Sequence, residues 1–285
     1  MEAKTIQIVR QNLDRVVRKS DYAHLEDQLL VTSFFRTIQG EGPYAGFPSV
    51  FLRLAGCNFG NKDPDSACQW CDTSFQFDQG RAWKYEVLLD SITTGLGYNK
   101  NDILVITGGE PTLQRNLLPF MKLAKKLFRV IQIETNGTQA GFYKELDQWH
   151  ATQELDVLHE ALSWDTGIYS VVSPKAVYKA GRIPKPSEAV LDKAGCLKFV
   201  VDADPESPHH KVPEWVNDTD VGRIPVYVSP MARYLRPYSG EVSSIWDRTL
   251  IDHETTSKNY EYAAQYAIAN NFRLSLQTHL FTAIP

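Results

Sequence analysis

The feature that most constrains the fold of this chain is a repeating order along it: a short apolar run, a polar or glycine-containing stop, then more chain before the next run. The runs are Leu29–Phe35, Ser49–Leu54, Ile103–Ile106, Val130–Glu134, Tyr169–Val172, Leu197–Val201, Val226–Val228 and Arg273–Gln277. Their length and their Val, Ile and Phe content read as strands. Helical spacing over Trp83–Leu96, Leu113–Phe128, Phe142–Trp149 and Tyr260–Ala269 falls between them. Such alternation predicts an α/β fold with a mostly parallel sheet or barrel. The unusual residues sit at the stops: Cys57, Thr107-Gly108-Gly109-Glu110-Pro111, Glu134-Thr135-Asn136-Gly137-Thr138, Ser173-Pro174-Lys175, Asp202 and Gln277-Thr278-His279. In parallel α/β folds the C-terminal strand edge is the active-site face, so these motifs are expected to converge on one pocket.

Three of the four cysteines are clustered, with ten residues between Cys57 and Cys68 and two between Cys68 and Cys71. A disulfide would use two and strand the third. Zinc in a closed structural site takes four ligands and would need a His or Asp from elsewhere. Three thiolates suit a [4Fe–4S] cluster and leave one iron open. Spacing alone leaves zinc and the cluster both standing. Cys196, ahead of an apolar strand, reads as a core thiol. Arg53 interrupts an apolar strand, and a buried arginine needs an anion, which is either a structural partner or a substrate carboxylate. The turn Gln39-Gly40-Glu41-Gly42-Pro43 presents an amide and a carboxylate after the first strand.

With 285 residues, 43% hydrophobic and 22% charged, the chain can bury a full core. A net charge of −4 gives no nucleic-acid footprint. No apolar run approaches the ~20 residues of a membrane span. The first residues lack an apolar signal core, and sparse, clustered cysteines fit a reducing compartment, so a cytoplasmic location is expected. Residues 1–28 read as an amphipathic extension, with Ile6, Val9, Leu13 and Val17 near helical spacing, and 29–285 as one domain.

The motifs together resemble a known family. The cysteine cluster followed by Gly-Gly-Glu-Pro is similar to radical S-adenosylmethionine enzymes, whose usual spacing is C-x₃-C-x₂-C. The longer first gap here is similar to that of the 7-carboxy-7-deazaguanine synthase branch. IQGEG at 38–42, FLRLAGC at 51–57, CDT at 71–73, TGGEP at 107–111, ETNGT at 134–138, SPK at 173–175 and the QTH…IP terminus extend the likeness over most of 30–285.

That resemblance implies a partial (β/α) barrel and a lyase that contracts the ring of 6-carboxy-5,6,7,8-tetrahydropterin by radical chemistry, with loss of ammonia, in 7-deazapurine (queuosine) biosynthesis. It implies that Cys57, Cys68 and Cys71 ligate a [4Fe–4S] cluster and that Thr73 ligates Mg²⁺. Gly108, Gly109, Glu110, Glu134, Thr135, Asn136, Ser173, Pro174 and Lys175 would bind S-adenosylmethionine, Glu134 to Asn136 also being placed near substrate. Ile38, Gln39, Gly40, Glu41, Arg53, Thr107, His279 and Pro285, the last through its terminal carboxylate, would contact the pterin. A one-electron donor such as flavodoxin or ferredoxin and a homodimer are implied as partners. A glycyl-radical-enzyme activase and a zinc-stabilised binding module are the rival readings. The first leaves Arg53 and IQGEG unexplained, and the second needs a fourth ligand.

Overall fold

The computed structural model describes residues 9–10, 26–59, 80–152, 167–176, 182–235 and 251–282. Its strands are β1 (Val9–Arg10), β2 (Gln28–Ile38), β3 (Pro48–Leu54), β4 (Arg81–Lys84), β5 (Ile103–Gly108), β6 (Val130–Thr135), β7 (Gly167–Val172), β8 (Ala194–Val201), β9 (Val226–Pro230) and β10 (Arg273–Leu274). They form one ten-stranded sheet in the order β1-β2-β3-β5-β6-β7-β8-β9-β10, with β4 also on β2. Every pairing from β3 to β10 is parallel. β2 is antiparallel to β3, and β1 and β4 are antiparallel to β2. The helices are α1 (Tyr85–Asp90), α2 (Leu117–Ala124), α3 (Ala140–Thr152), α4 (Glu188–Leu191), α5 (His253–Asn270) and α6 (His279–Thr282). This is the α/β, mostly parallel architecture that the alternation predicts. None of the described helices is long and apolar enough to cross a membrane.

Side chains alternate across each strand, so every strand has one face toward the helices and one toward the concave side. Leu52, Leu54, Leu104, Ile106, Ile131, Ile133, Leu197 and Phe199 face outward into a core with Leu117, Phe120, Met121 and Ala124 of α2 and Tyr143 and Leu146 of α3. Burying a side chain of this size contributes about 1.5–3 kcal/mol, so this layer supplies most of the driving force. On the concave face, the N-terminal ends of the strands carry a smaller apolar cluster of Tyr44, Ile103, Val105 and Val130, with Phe51 and Tyr169 against it. Further along the strands that face turns polar.

Two elements differ from the sequence expectation. Helical spacing over Trp83–Leu96 begins with a strand instead: Arg81–Lys84 pairs with Gln28–Val31, and Trp83 meets Phe34 edge-on at 5.3 Å. Val9–Arg10, inside a segment of helical spacing, pairs with Phe34 and Ser33. The cause is shared. β3 takes only one edge of β2, and the other edge offers backbone donors and acceptors that override local propensity. α5 begins earlier than its apolar spacing suggests because Asp252 caps it, accepting from the Thr255 amide at 3.0 Å.

The sheet curls until its two ends meet. A Cβ on Gly40 would lie 2.5 Å from Thr278 Oγ1, so the loop after β2 touches the segment after β10. The Gly42 amide donates to Ser275 Oγ at 3.1 Å across the same contact.

Candidate active site

The C-terminal edge of β3, β5, β6 and β7 is joined by hydrogen bonds between consecutive stops. The Gly109 amide donates to the Leu54 carbonyl (2.9 Å) and the Glu110 amide to the Gly56 carbonyl (2.7 Å). This seats the Gly-Gly-Glu turn on the residue before Cys57. Glycine is required there because a Cβ on Gly109 would lie 1.9 Å from the Gly56 carbonyl oxygen and 3.1 Å from the Cys57 nitrogen. Asn58 reaches the next stop, donating to Thr138 Oγ1 and accepting from Asn136 Nδ2, both at 2.8 Å. The Ser173 amide donates to the Thr135 carbonyl (2.7 Å), and Lys175 Nζ donates to Ser173 Oγ (2.8 Å).

Glu110 is the buried centre of this edge. Its carboxylate accepts from the Thr112 amide (3.1 Å), the Thr135 hydroxyl (2.7 Å) and the Asn136 amide (2.6 Å), and from the Thr112 hydroxyl. Burial pushes the Glu110 carboxyl above its ordinary value, against the opposing pull of these donors. Gln114 extends the joint backwards. Its side chain accepts from the Leu30 amide at 2.9 Å and donates to the carbonyls of Leu30 (2.9 Å) and Ala55 (3.1 Å).

Cys57 sits above this edge as a half-buried residue whose sulfur accepts from the Phe59 amide at 3.4 Å. A soft sulfur donor held beside a side-chain-free Gly108–Gly109 turn suits an iron–sulfur ligand, and backbone N–H bonds to sulfur tune such clusters. Cys68, Cys71, Thr73 and Pro285 lie outside the described residues.

The second half of the site is the polar part of the concave face. Arg53 and Thr107 are direct neighbours across β3 and β5, and the Arg53 guanidinium lies 5.0 Å from the centre of the Phe35 ring. Glu134, one strand further, accepts from Gln132 Nε2 (2.6 Å) and Gln39 Nε2 (3.5 Å). Lys198 of β8 reaches Glu134 Oε2 at 3.0 Å and also pairs with Glu41. Burial pushes the Glu41 carboxyl up, but Lys198, helped by His279 and Lys175, outweighs it and holds Glu41 below the usual range. Burial also pushes the Lys198 ammonium down, and Glu134 and Glu41 reverse this, leaving it raised.

The route by which Gln39 and Glu41 reach this face is not the one the other motifs use. Ile38 pairs with Pro48, and Ser49 pairs with Ile103, so β2 ends at the N-terminal edge of the parallel strands. The loop then turns in, closed at its neck by Gln39 amide to Phe47 carbonyl and Gly46 amide to Gln39 carbonyl bonds, both 2.8 Å. Tyr44 anchors it in the apolar cluster, and Glu41 is delivered to Lys198.

The chain was compared with known proteins. No protein-family model matches it. It is 31% identical over 281 residues to the 7-carboxy-7-deazaguanine synthase of Rickettsia prowazekii, covering 96% of this chain and 94% of that one. It is 32% identical over 231 residues to the synthase of Hyperthermus butylicus, covering 77% and 83%. The chain belongs to the 7-carboxy-7-deazaguanine synthase family. The crystal structure of QueE from Escherichia coli has the same fold, with a TM-score of 0.57 at 23% identity over 92% of this chain and 98% of that one.

Within this family member the structure brings Glu110, Thr135, Asn136, Ser173 and Lys175 to one edge with Cys57, and Gln39, Glu41 and Glu134 to one charged cluster. Ile38 is 42% exposed at the end of β2. Gly40 lies against Thr278, next to His279, whose charge is felt at Glu41. Sequence reading missed Lys198, Gln132 and Gln114. Lys198 carried the same signal as Arg53, a cation inside an apolar strand. Nothing local marked the two glutamines.

Proposed function

We propose that this family member converts 6-carboxy-5,6,7,8-tetrahydropterin to 7-carboxy-7-deazaguanine with loss of ammonia, using one pocket formed by the joined strand ends and the charged concave face. The observation that carries this reading is the placement of Cys57 and the Gly108–Gly109 turn beside a face bearing Arg53, Glu41, Glu134 and Lys198. In it, Cys57, Cys68 and Cys71 would hold the [4Fe–4S] cluster, and Gly108, Gly109, Thr135, Asn136, Ser173, Pro174 and Lys175 would hold S-adenosylmethionine. The bound cluster and S-adenosylmethionine supply the radical chemistry that removes a substrate hydrogen.

The residues of the chain bind and orient. Gly108 and Gly109 would present their backbone to the methionine end of the cofactor, and Lys175 would offer a positive charge to its carboxylate. The Glu110 carboxylate faces its own neighbours, so its part is to fix the edge on which the others sit. Arg53 would take the substrate carboxylate through a two-point bond, with Thr107 beside it. Gln39, Glu41 and Glu134 would accept from the donor edge of the pterin, and Ile38, Gly40, His279 and the Pro285 carboxylate would close the pocket. Thr73 would give a hard oxygen to Mg²⁺. Enclosure on the concave face excludes water from the reacting centre. The reading includes a one-electron donor such as flavodoxin or ferredoxin, a homodimer, and residues 1–28 as an extension of a single 29–285 domain.

The test is anaerobic reconstitution with iron and sulfide, then incubation with reductant, S-adenosylmethionine, Mg²⁺ and the tetrahydropterin, with products identified by mass spectrometry. Formation of 7-carboxy-7-deazaguanine, lost with the bound iron in Cys57→Ala, is the expected result. A wild-type protein that cleaves S-adenosylmethionine and leaves the pterin unchanged would refute the substrate assignment.

A further inference from the structure

We propose that Lys198 is a positioning residue for the substrate: its ammonium, shared by Glu41 and Glu134, sets the two carboxylates as one acceptor pair for the donor-bearing edge of the substrate ring. This rests on the function proposed above.

The geometry supports it in three ways. Lys198 sits on the concave face between a carboxylate fixed to the sheet and one carried on a loop, with its side chain 11% exposed and those of Glu41 and Glu134 20% and 14%. Glu134 is held from three elements, by Gln132, Gln39 and Lys198, whereas Glu41 is delivered by the loop after β2 and is clasped by Lys198. The triad of Lys198, Glu41 and Glu134 itself carries one positive and two negative charges, which suits a ligand edge that carries adjacent N–H donors. A carboxylate has about four acceptor positions, so a bond to Lys198 leaves capacity for a ligand on each.

Lys198 is also what keeps the acceptors as acceptors. Two carboxylates that reach one nitrogen lie close together, and without the cation one of them takes a proton. A protonated carboxyl turns a donor toward the ring N–H groups and opposes binding. Among the described residues, other groups whose charge acts on the cluster are His279, Lys175 and Tyr260 near Glu41, and Cys196 and Arg273 beside the Glu134–Lys198 side. Lys198 itself touches both carboxylates.

The experiment measures the dissociation constant of 6-carboxypterin, a stable oxidised analogue, by fluorescence on the reconstituted full chain. Wild type, Lys198→Met, Lys198→Arg and the double variant Lys198→Met/Glu134→Gln are compared from about pH 5.5 to about 8, where isolated carboxylates and lysine do not titrate. Each variant is expressed as a ratio to wild type at the same pH, which cancels titration of the ligand itself. Lys198→Met is expected to bind roughly tenfold to a hundredfold more weakly at neutral pH, with the ratio narrowing as pH rises and the shared proton leaves. Lys198→Arg is expected to keep a flat ratio. The double variant removes one charge of each sign and is expected to fold and to show a pH-independent deficit. A wild-type constant in Lys198→Met or in the double variant, or a flat ratio in Lys198→Met, overturns the inference. If neither Met variant folds, Lys198 serves stability and the inference is also overturned. Failure of the wild type to bind or turn over pterin refutes the functional reading, whereas wild-type turnover with a flat Lys198→Met ratio refutes this inference alone.

Discussion

Gly109→Ala tests whether the joint between the Gly-Gly-Glu turn and the Cys57 strand organises the site. The added Cβ would lie 1.9 Å from the Gly56 carbonyl oxygen and 2.5 Å from its carbonyl carbon, where ordinary contact begins at 3.4 Å. The obstacle is backbone, so no rotamer change can relieve it, and one of the two strand ends must move by about 1.5 Å, a displacement of the size that misaligned sites do not tolerate. The backbone of Gly109 is not itself strained, because its φ is not positive, so the effect isolates the contact. Overpacking costs about 1–3 kcal/mol, and the two hydrogen bonds to Leu54 and Gly56 add about 1 kcal/mol each if broken. A loss of roughly 3–5 kcal/mol when both bonds break lowers the melting temperature by about 6–10 °C in a chain of this size. The larger consequence is at Cys57, which moves with Gly56: misplacement by about 1 Å costs around a hundredfold in rate. Thermal unfolding, iron bound per chain after reconstitution, and turnover are the three readouts. Wild-type iron content and turnover in the Gly109→Ala protein would refute the claim that this contact positions the cysteine.

Three further outcomes are expected from the structure. Arg53→Lys keeps the charge and loses the two-point geometry, so KM for the carboxylated pterin should rise about tenfold or more with kcat less affected, as steady-state kinetics would show. His209 is 3% exposed, and burial, reinforced by the nearby Lys175 charge, pushes its pKa down to about 4 from 6.5. The unfolded chain therefore binds the proton first: the stability from neutral His209 is intact above about pH 6.5 and is lost as pH falls toward 4. Urea unfolding should show about 2 kcal/mol lost between pH 7.5 and 5, a loss that His209→Gln removes. Gly141 lies in α3 with open space at its Cβ position and ordinary φ, so Gly141→Ala should stabilise by up to about 1 kcal/mol in the same assay, with turnover unchanged.

The strand-end motifs were legible because each is local. An apolar run followed by Thr107-Gly108-Gly109-Glu110 or Glu134-Thr135-Asn136 declares both a strand and its stop, and parallel pairing then puts the stops on one edge. What sequence does not carry is direction and side-chain heading. The antiparallel turn of β2 reverses its loop to the opposite edge, and only the Tyr44 anchor and the curl of the sheet bring Glu41 back to the site. Glu110 belongs to the expected motif, yet its carboxylate points into its own hydrogen-bonded neighbours. Lys198 was readable by the rule applied to Arg53 but stood in a run, Leu197–Val201, whose apolar character dominated. Val9–Arg10 and Arg81–Lys84 became strands because of an edge of β2 that lies far from each along the chain.

The opposed charges of the concave face bear on why the substrate would enter in one orientation. Arg53 pairs with Thr107 across β3 and β5, and Leu104 and Ile106 pair with Ile131 and Ile133, which brings Glu134 level with Thr107 one strand further on. At ~4.8 Å between strands, Arg53 and Glu134 emerge about 10 Å apart. One end of this row is cationic, and the other, where Glu41 and Glu134 share Lys198, is net anionic. A ligand with a carboxylate at one end and N–H donors at the other meets complementary charge in one orientation only. Reversed, its carboxylate would face the anionic cluster. A unit-charge contact at ~4 Å is worth about 4 kcal/mol at an effective dielectric of ~20, so attraction becomes repulsion of similar size. Shape alone discriminates weakly between two placements of a flat ring, but this difference exceeds a thousandfold preference. On that argument Arg53 and the Glu41–Glu134 pair would act together: the first would choose which end of the substrate lies on β3, and the second, held by Lys198, would keep the opposite end from accepting a carboxylate.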